Sequence, residues 1–136
     1  MTSSPALLDT DILSAIMRQQ PTPLAHARRY LTLHNRLAFS LITRYEILRG
    51  LMAKQATAQL RALERFCQFN EILPLTDGIV VRAAELYADL HRRGQLIGDA
   101  DILIAATALE NGRAVVTINE SHFIRIPGLQ VYNWLQ

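Results

Sequence analysis

Residues 97–112 read IGDADILIAATALENG, and every position from 102 through 109 is apolar or small. A helix without a polar face is buried nearly all round, so other elements must cover it on every side. Gly112 stands where a C′ glycine ends such a helix, and 114–117 (AVVT) then reads as a short buried strand. Helix running directly into strand, with both buried, is the pattern of a layered α/β domain. Outward from this stretch the same alternation continues. Short apolar runs predict strands at 6–8, ending at Asp9, and at 37–39, ending at Ser40, with further strands at 72–73 and 130–132. Helices are predicted at 11–18, 24–33, 42–52, 56–69, 78–93 and 100–110, with Gly94 closing the fifth and Asp77 and Asp99 placed as N-caps. Five strands alternating with helices imply right-handed crossovers and a mostly parallel sheet with helices on both faces.

The chain has 136 residues, half of them hydrophobic and 19% charged. That is the size of one ordinary domain, expected over 1–136, and its composition excludes global disorder. The longest nearly unbroken apolar stretch is 102–109, whereas a membrane span needs roughly 20 residues. No basic residue precedes the first apolar run, and carboxylates stand where a secretory peptide would continue apolar, so a cytoplasmic protein is expected. The single cysteine, Cys67, has no partner for a disulfide or a CxxC pair and reads as a half-buried thiol on a helix. Net charge is only +2, yet thirteen of the fourteen basic residues are arginine, Lys54 being the exception. Arginine forks phosphates and carboxylates, so the bias is compatible with a nucleic acid or an acidic partner; it also follows from coding-DNA composition alone.

In parallel sheets, sites form at the carboxyl ends of the strands, which directs attention to the polar residues there. Asp9 follows the first strand, with Thr10 and Asp11 behind it. One aspartate serves as the N-cap of the next helix, and the other needs a separate reason to be there. Glu46 lies in SLITRYEILRG (40–50), whose positions Leu41, Tyr45, Leu48 and Met52 form an apolar face. Its neighbours Thr43, Gly50 and Ala53 are small, leaving room for a ligand to approach, although an i,i+3 pair with Arg49 explains it equally well. A mid-helix glycine costs about 0.5–1 kcal/mol, which favours a close-approach role for Gly50. With Asp99 as the cap, Asp101 becomes a second carboxylate at the mouth of a buried helix, and a cation is the obvious compensation. Thr117 and Asn119, just past a strand, add oxygen donors at the same sheet edge. His122 is read as a surface or packing residue, and His26, His34 and His91 as solvated. Carboxylates with Thr and Asn, no thiol or imidazole pair and no Gly-rich phosphate loop point to Mg²⁺ or Mn²⁺, and hence to phosphodiester hydrolysis.

LLDTDIL (7–13), SLITRYEILRG (40–50), IGDADILIAATAL (97–109), VVTINESHF (115–123) and IPGLQVYNW (126–134) together resemble the PIN-domain family, in particular VapC-type toxins of bacterial toxin–antitoxin pairs. The resemblance implies a three-layer α/β/α fold with a central, mostly parallel sheet of about five strands. It also implies a Mg²⁺- or Mn²⁺-dependent endoribonuclease acting on RNA, a homodimer, and a cognate antitoxin whose tail inserts a basic residue among the carboxylates. Carried over by position, the family's acids fall on Asp9, Glu46 and Asp101. The fourth falls on Asn119, a departure that removes one negative charge, which Asp99 partly replaces. Thr117, Ser40 and Asp11 are the supporting positions. Two other readings compete. A receiver-type signalling domain also gathers acids around Mg²⁺, but it uses a lysine after a late strand, where this chain has none. A PIN-like interaction protein that has lost catalysis at Asn119 is the other.

Overall fold

The computed structural model describes residues 4–136, so residues 1–3 of the expected domain lie outside the description. The elements run β1 (Ala6–Leu8), α1 (Thr10–Met17), α2 (Pro21–Leu33), β2 (Ala38–Ser40), α3 (Leu41–Ala53), α4 (Thr57–Phe69), β3 (Glu71–Leu73), α5 (Asp77–Arg92), α6 (Asp99–Glu110), β4 (Ala114–Val116), α7 (Glu120–Phe123) and β5 (Val131–Tyr132). The predicted elements all form, with ends shifted by a residue or two. The exception is α2, which starts earlier because Pro21 is well suited to the first helical position. The short helix α7 is an addition.

Every strand pair among the described residues is parallel. The ladders divide into a three-stranded sheet in the order β1-β4-β5 and a two-stranded sheet of β2 and β3, with β1 lying close beside β2. Side-chain alternation along these strands creates the layers. Leu7 and Val115, paired in register, pack with α5, α6 and α7 on one face. Leu8 and Val116, the next pair, pack with Ile12, Leu13, Tyr30 and Leu63 of α1, α2 and α4 on the other. With both faces covered, β1, β2 and β4 are buried at every position, as parallel strands require. The expected α/β/α arrangement is thereby realised.

Helix α6 is buried as its sequence demands, with Ile104, Ala105, Ala106 and Ala108 fully enclosed. The one hydroxyl in that run, on Thr107, donates to the Leu103 carbonyl at 2.7 Å and so carries no unpaired polar group inward. Two caps differ from expectation. Thr76, not Asp77, caps α5 by accepting from Ile79 N, and Gly98, not Asp99, is the N-cap of α6. Both Asp99 and Asp101 therefore stand inside the first turn of α6.

The apolar face read along 41–52 is not the buried one. Leu41, Tyr45 and Met52 are 42%, 59% and 58% exposed, while Thr43 and Ile47 point inward. Ser40 caps α3 by accepting from Thr43 N at 3.1 Å, and this sets the rotational phase of the helix. Of the histidines read as solvated, His91 is exposed as expected, whereas His26 and His34 are half-buried. His26 stacks on Trp134 and bonds the Gln136 carbonyl at 2.8 Å, His34 stacks on Tyr30, and His91 stacks on Tyr87. Cys67 is half-buried on α4, with Arg44 Nη1 3.2 Å from its sulfur. No helix among the described residues is long and apolar enough to cross a membrane.

These packing assignments separate two classes of substitution. Ile104→Ala is expected to cost about 2–5 kcal/mol, whereas Met52→Ser on the exposed face of α3 should stay within about 0.5 kcal/mol. Urea unfolding followed by circular dichroism measures both, and a Met52→Ser cost comparable to that of Ile104→Ala would contradict the phase of α3.

Candidate active site

The register of β1 against β4 ends at Leu8 and Val116, so the next residues, Asp9 and Thr117, leave the sheet side by side. Asp9 is 3% exposed. Its backbone N–H still bonds the Val116 carbonyl at 2.8 Å, and its carbonyl accepts the first α1 bond from Leu13. One carboxylate oxygen caps α1 by accepting from Thr10 N at 2.8 Å, and the other accepts from Thr117 Oγ1 at 2.7 Å. The cap reading of Asp9 is therefore correct, and the second bond supplies a further role. Burial outweighs these two bonds and raises the carboxyl from an ordinary 3.8 to about 6, with the charges of Asp101 and then Asp11 adding to the rise.

Thr10 extends the site toward α3. Its hydroxyl donates to Glu46 Oε1 at 2.6 Å and lies 3.1 Å from Thr43 Oγ1. The pairing of Glu46 with Arg49 exists but is long, at 3.8 Å, and Arg49 also sits over the Tyr45 ring. Asp101 enters from the first turn of α6, near enough for its charge to act on Asp9. Its carboxylate Oδ2 lies 2.9 Å from Nδ1 of His122, a surface side chain as read from the sequence, to which the structure adds this partner. Asn119 takes part through its backbone, whose N–H donates to Thr117 Oγ1 at 2.9 Å. It sits at the N-cap of α7 without making a side-chain cap bond.

The structure thus gathers Asp9, Asp101, Glu46 and Thr117 with Thr10, Thr43 and His122. The last three were not assigned to the site from the sequence. Thr10 and Thr43 carried a signal, being the residue beside Asp9 and the small neighbour one turn from Glu46. Ser40 is buried and spends its hydroxyl on capping α3. Asp11 and Asp99 stand exposed in the first turns of their helices, and of the two only Asp11 is felt at Asp9.

A groove of about 290 Å³ opens beside Glu46 and Thr10 and runs past Gly50 to Arg18 and Lys54. A methyl group added at Gly50 would meet nothing within 4 Å, so the groove side of this glycine is open space. The donor set suits a divalent cation: the buried Asp9 carboxylate, whose pKa is raised by burial to about 6, feels the charge of the half-buried Asp101 and is backed by hydroxyls. Among the described residues, no three His, Cys, Asp or Glu side chains come together as a ready-made metal-binding group, so a cation here would draw on the hydroxyls and on water as well as on the acids.

The sequence profile of the PIN domain matches residues 6–129. The chain belongs to the PIN domain family. Ribonuclease VapC1 of Haemophilus influenzae is 30% identical over 129 residues, covering 94% of this chain and 96% of its own. The tRNA(fMet)-specific endonuclease VapC of Salmonella typhimurium is 30% identical over 130 residues, again covering 94% and 96%. Among solved structures, the DNA-bound VapBC complex of Salmonella typhimurium superposes with a TM-score of 0.86 at 29% identity, covering 96% of this chain and 98% of that one. The family assignment removes the receiver-type alternative. Lys54, which that alternative would need after a late strand, instead follows α3 and lines the groove of this PIN domain.

The raised Asp9 carboxyl makes a signed prediction for the metal-free protein. Because the folded state holds this proton more tightly than the unfolded chain, ionising Asp9 costs stability as pH rises from about 4 to about 6. Above that range the full penalty, about 3 kcal/mol, is present. Asp9→Asn in EDTA should therefore stabilise the domain at pH 7.5 and lose that advantage at pH 4, as read by denaturant unfolding at both pH values. Parallel pH profiles for the two proteins would contradict the buried, uncompensated charge.

Proposed function

We propose that this chain is the toxin of a toxin–antitoxin pair, a single catalytic domain over 1–136 that hydrolyses RNA phosphodiester bonds in the cytoplasm with Mg²⁺ or Mn²⁺. The observation that carries the reading is the buried Asp9 carboxylate, locked between Thr10 and Thr117 and facing the charge of Asp101, in a chain so similar to VapC ribonucleases.

Asp9, Asp101 and Glu46 would hold the metal, and Asn119 and Asp99 would adjust it or orient the attacking water. A bound ion lowers the pKa of that water and stabilises the attacking and leaving oxygens. The chain's own residues supply position. Thr117 and the Thr10 N–H keep both Asp9 oxygens from rotating, and the Thr10 hydroxyl holds Glu46 at the mouth of the groove. Arg18 and Lys54, which line the groove with Glu46, offer phosphate contacts, which position an RNA strand without reading its bases. The solved VapBC neighbours pair toxin with antitoxin, which supports a cognate antitoxin here. The exposed Leu41, Tyr45 and Met52 provide apolar surface for protein partners, including the expected homodimer.

Asp9→Asn and Asp101→Asn should each lower cleavage by more than about 100-fold and abolish growth arrest on induction. Cleavage sites mapped across total cellular RNA after induction of the wild type would identify the RNA class that is cut. Undiminished arrest and cleavage by both variants would overturn the reading, and absence of both Mn²⁺ binding and cleavage in the wild type would leave the non-catalytic interaction protein.

A further inference from the structure

We propose that His122 is a positioning residue for Asp101, fixing the orientation of that carboxylate toward the divalent ion. The inference rests on the metal-site reading above.

Asp101 has reason to move. It stands in the first turn of α6 with its side chain 21% exposed, close to the negative charge of Asp9, so repulsion and hydration both favour swinging it toward solvent. Among the described residues, His122 is the side chain that hydrogen-bonds it, Nδ1 to Oδ2 at 2.9 Å. An ionised carboxylate only accepts, so Nδ1 carries the proton and donates. Oδ1 of Asp101 is left for the ion.

The His122 side chain is 42% exposed, and its backbone is anchored from the core side. His122 lies on α7, whose Phe123 is fully buried in the core beside α6, and the His122 N–H bonds the Asn119 carbonyl at 3.0 Å. Asn119 N–H in turn bonds Thr117 Oγ1, which donates to Asp9. One short segment, 117–123, therefore grips two carboxylates from different elements, Asp9 through a hydroxyl and Asp101 through an imidazole. It thereby links the two carboxylates through one continuous stretch of backbone. Partners that hold a ligating carboxylate in this way typically contribute 10–100-fold to metal affinity.

The test titrates the purified full chain with Mn²⁺, followed by electron paramagnetic resonance, for the wild type, His122→Ala, His122→Asn and Asp9→Asn. Asparagine places an N–H donor close to where Nδ1 stands. His122→Ala should bind Mn²⁺ about 10–100-fold more weakly, His122→Asn should recover most of the affinity, and both should melt at the wild-type temperature. Wild-type affinity in His122→Ala overturns the proposal. So does an His122→Asn variant as weak as His122→Ala at unchanged melting temperature, since the ring would then act through Nε2 rather than as a donor to Asp101. If the wild type binds Mn²⁺ and Asp9→Asn does not, the metal site stands whatever His122 does. If the wild type binds none, the metal-site reading fails and takes this one with it.

Discussion

A carboxylate buried at the end of β1 is the constraint around which the rest of this domain is arranged. An ionised group at 3% exposure must be met by hydrogen bonds or opposite charge. The parallel register of β1 and β4 delivers the first partner, because the residue after Val116 is Thr117 and its hydroxyl reaches Asp9. The start of α1 delivers the second, since the backbone N–H of Thr10 is one of the donors a helix leaves open. Neither neutralises the charge. Burial raises the carboxyl from an ordinary 3.8 to about 6, and the charges of Asp101 and Asp11 add to the rise. A fold that retains such a group while stacking a second carboxylate on it accepts lower stability at a site it has a use for.

The layers explain why those charges meet at one edge. Helix α6 has no polar side to give to water, so it must lie between α5, α7 and the sheet. Its N-terminus then falls at the carboxyl end of β1 and β4, which brings Asp101 to Asp9. The opposite face, packed by α1, α2 and α4, positions Thr10 against α3, and through it Glu46. Two core clusters on opposite faces of the sheet thus bring Asp101 near Asp9 and tie Glu46 to Thr10, the residue next to Asp9.

Much of this was legible in the sequence, for physical reasons that can be named. The strand-helix alternation follows from period and punctuation, and Asp9, Thr117 and Asp101 follow from the rule that polar residues at strand ends and buried helix starts need explaining. Glu46 was marked by its small neighbours, which do open onto a groove. What sequence could not supply depended on tertiary contact. The caps of α5 and α6 moved one residue, to Thr76 and Gly98, because local propensity ranks adjacent candidates too closely to separate them. Which face of α3 is buried could not be read from its apolar positions, because Leu41, Tyr45 and Met52 stay exposed while Thr43 and Ile47 turn inward, beside the Ser40 cap and the contact between Glu46 and Thr10. Helix α7 is four residues long and has no period to read, so His122 could not be connected to Asp101, twenty-one positions earlier.

The departure at Asn119 takes on a different meaning once α7 is in view. An acid at that position would add a further negative charge to a cluster whose first member already resists ionisation. The amide leaves the charge lower, and its backbone keeps the bond to Thr117 that the geometry requires. Three residues later His122 places a donor on Asp101 without changing the charge of the pocket. Backbone and ring of this segment hold Asp9 and Asp101 in orientation, and a pocket without a further acid opposes a polyanionic RNA backbone less. Arg18 and Lys54 line the same groove as Glu46 and Thr10. In the proposed reading these cations offset the acids and let a phosphodiester approach the carboxylates it must reach.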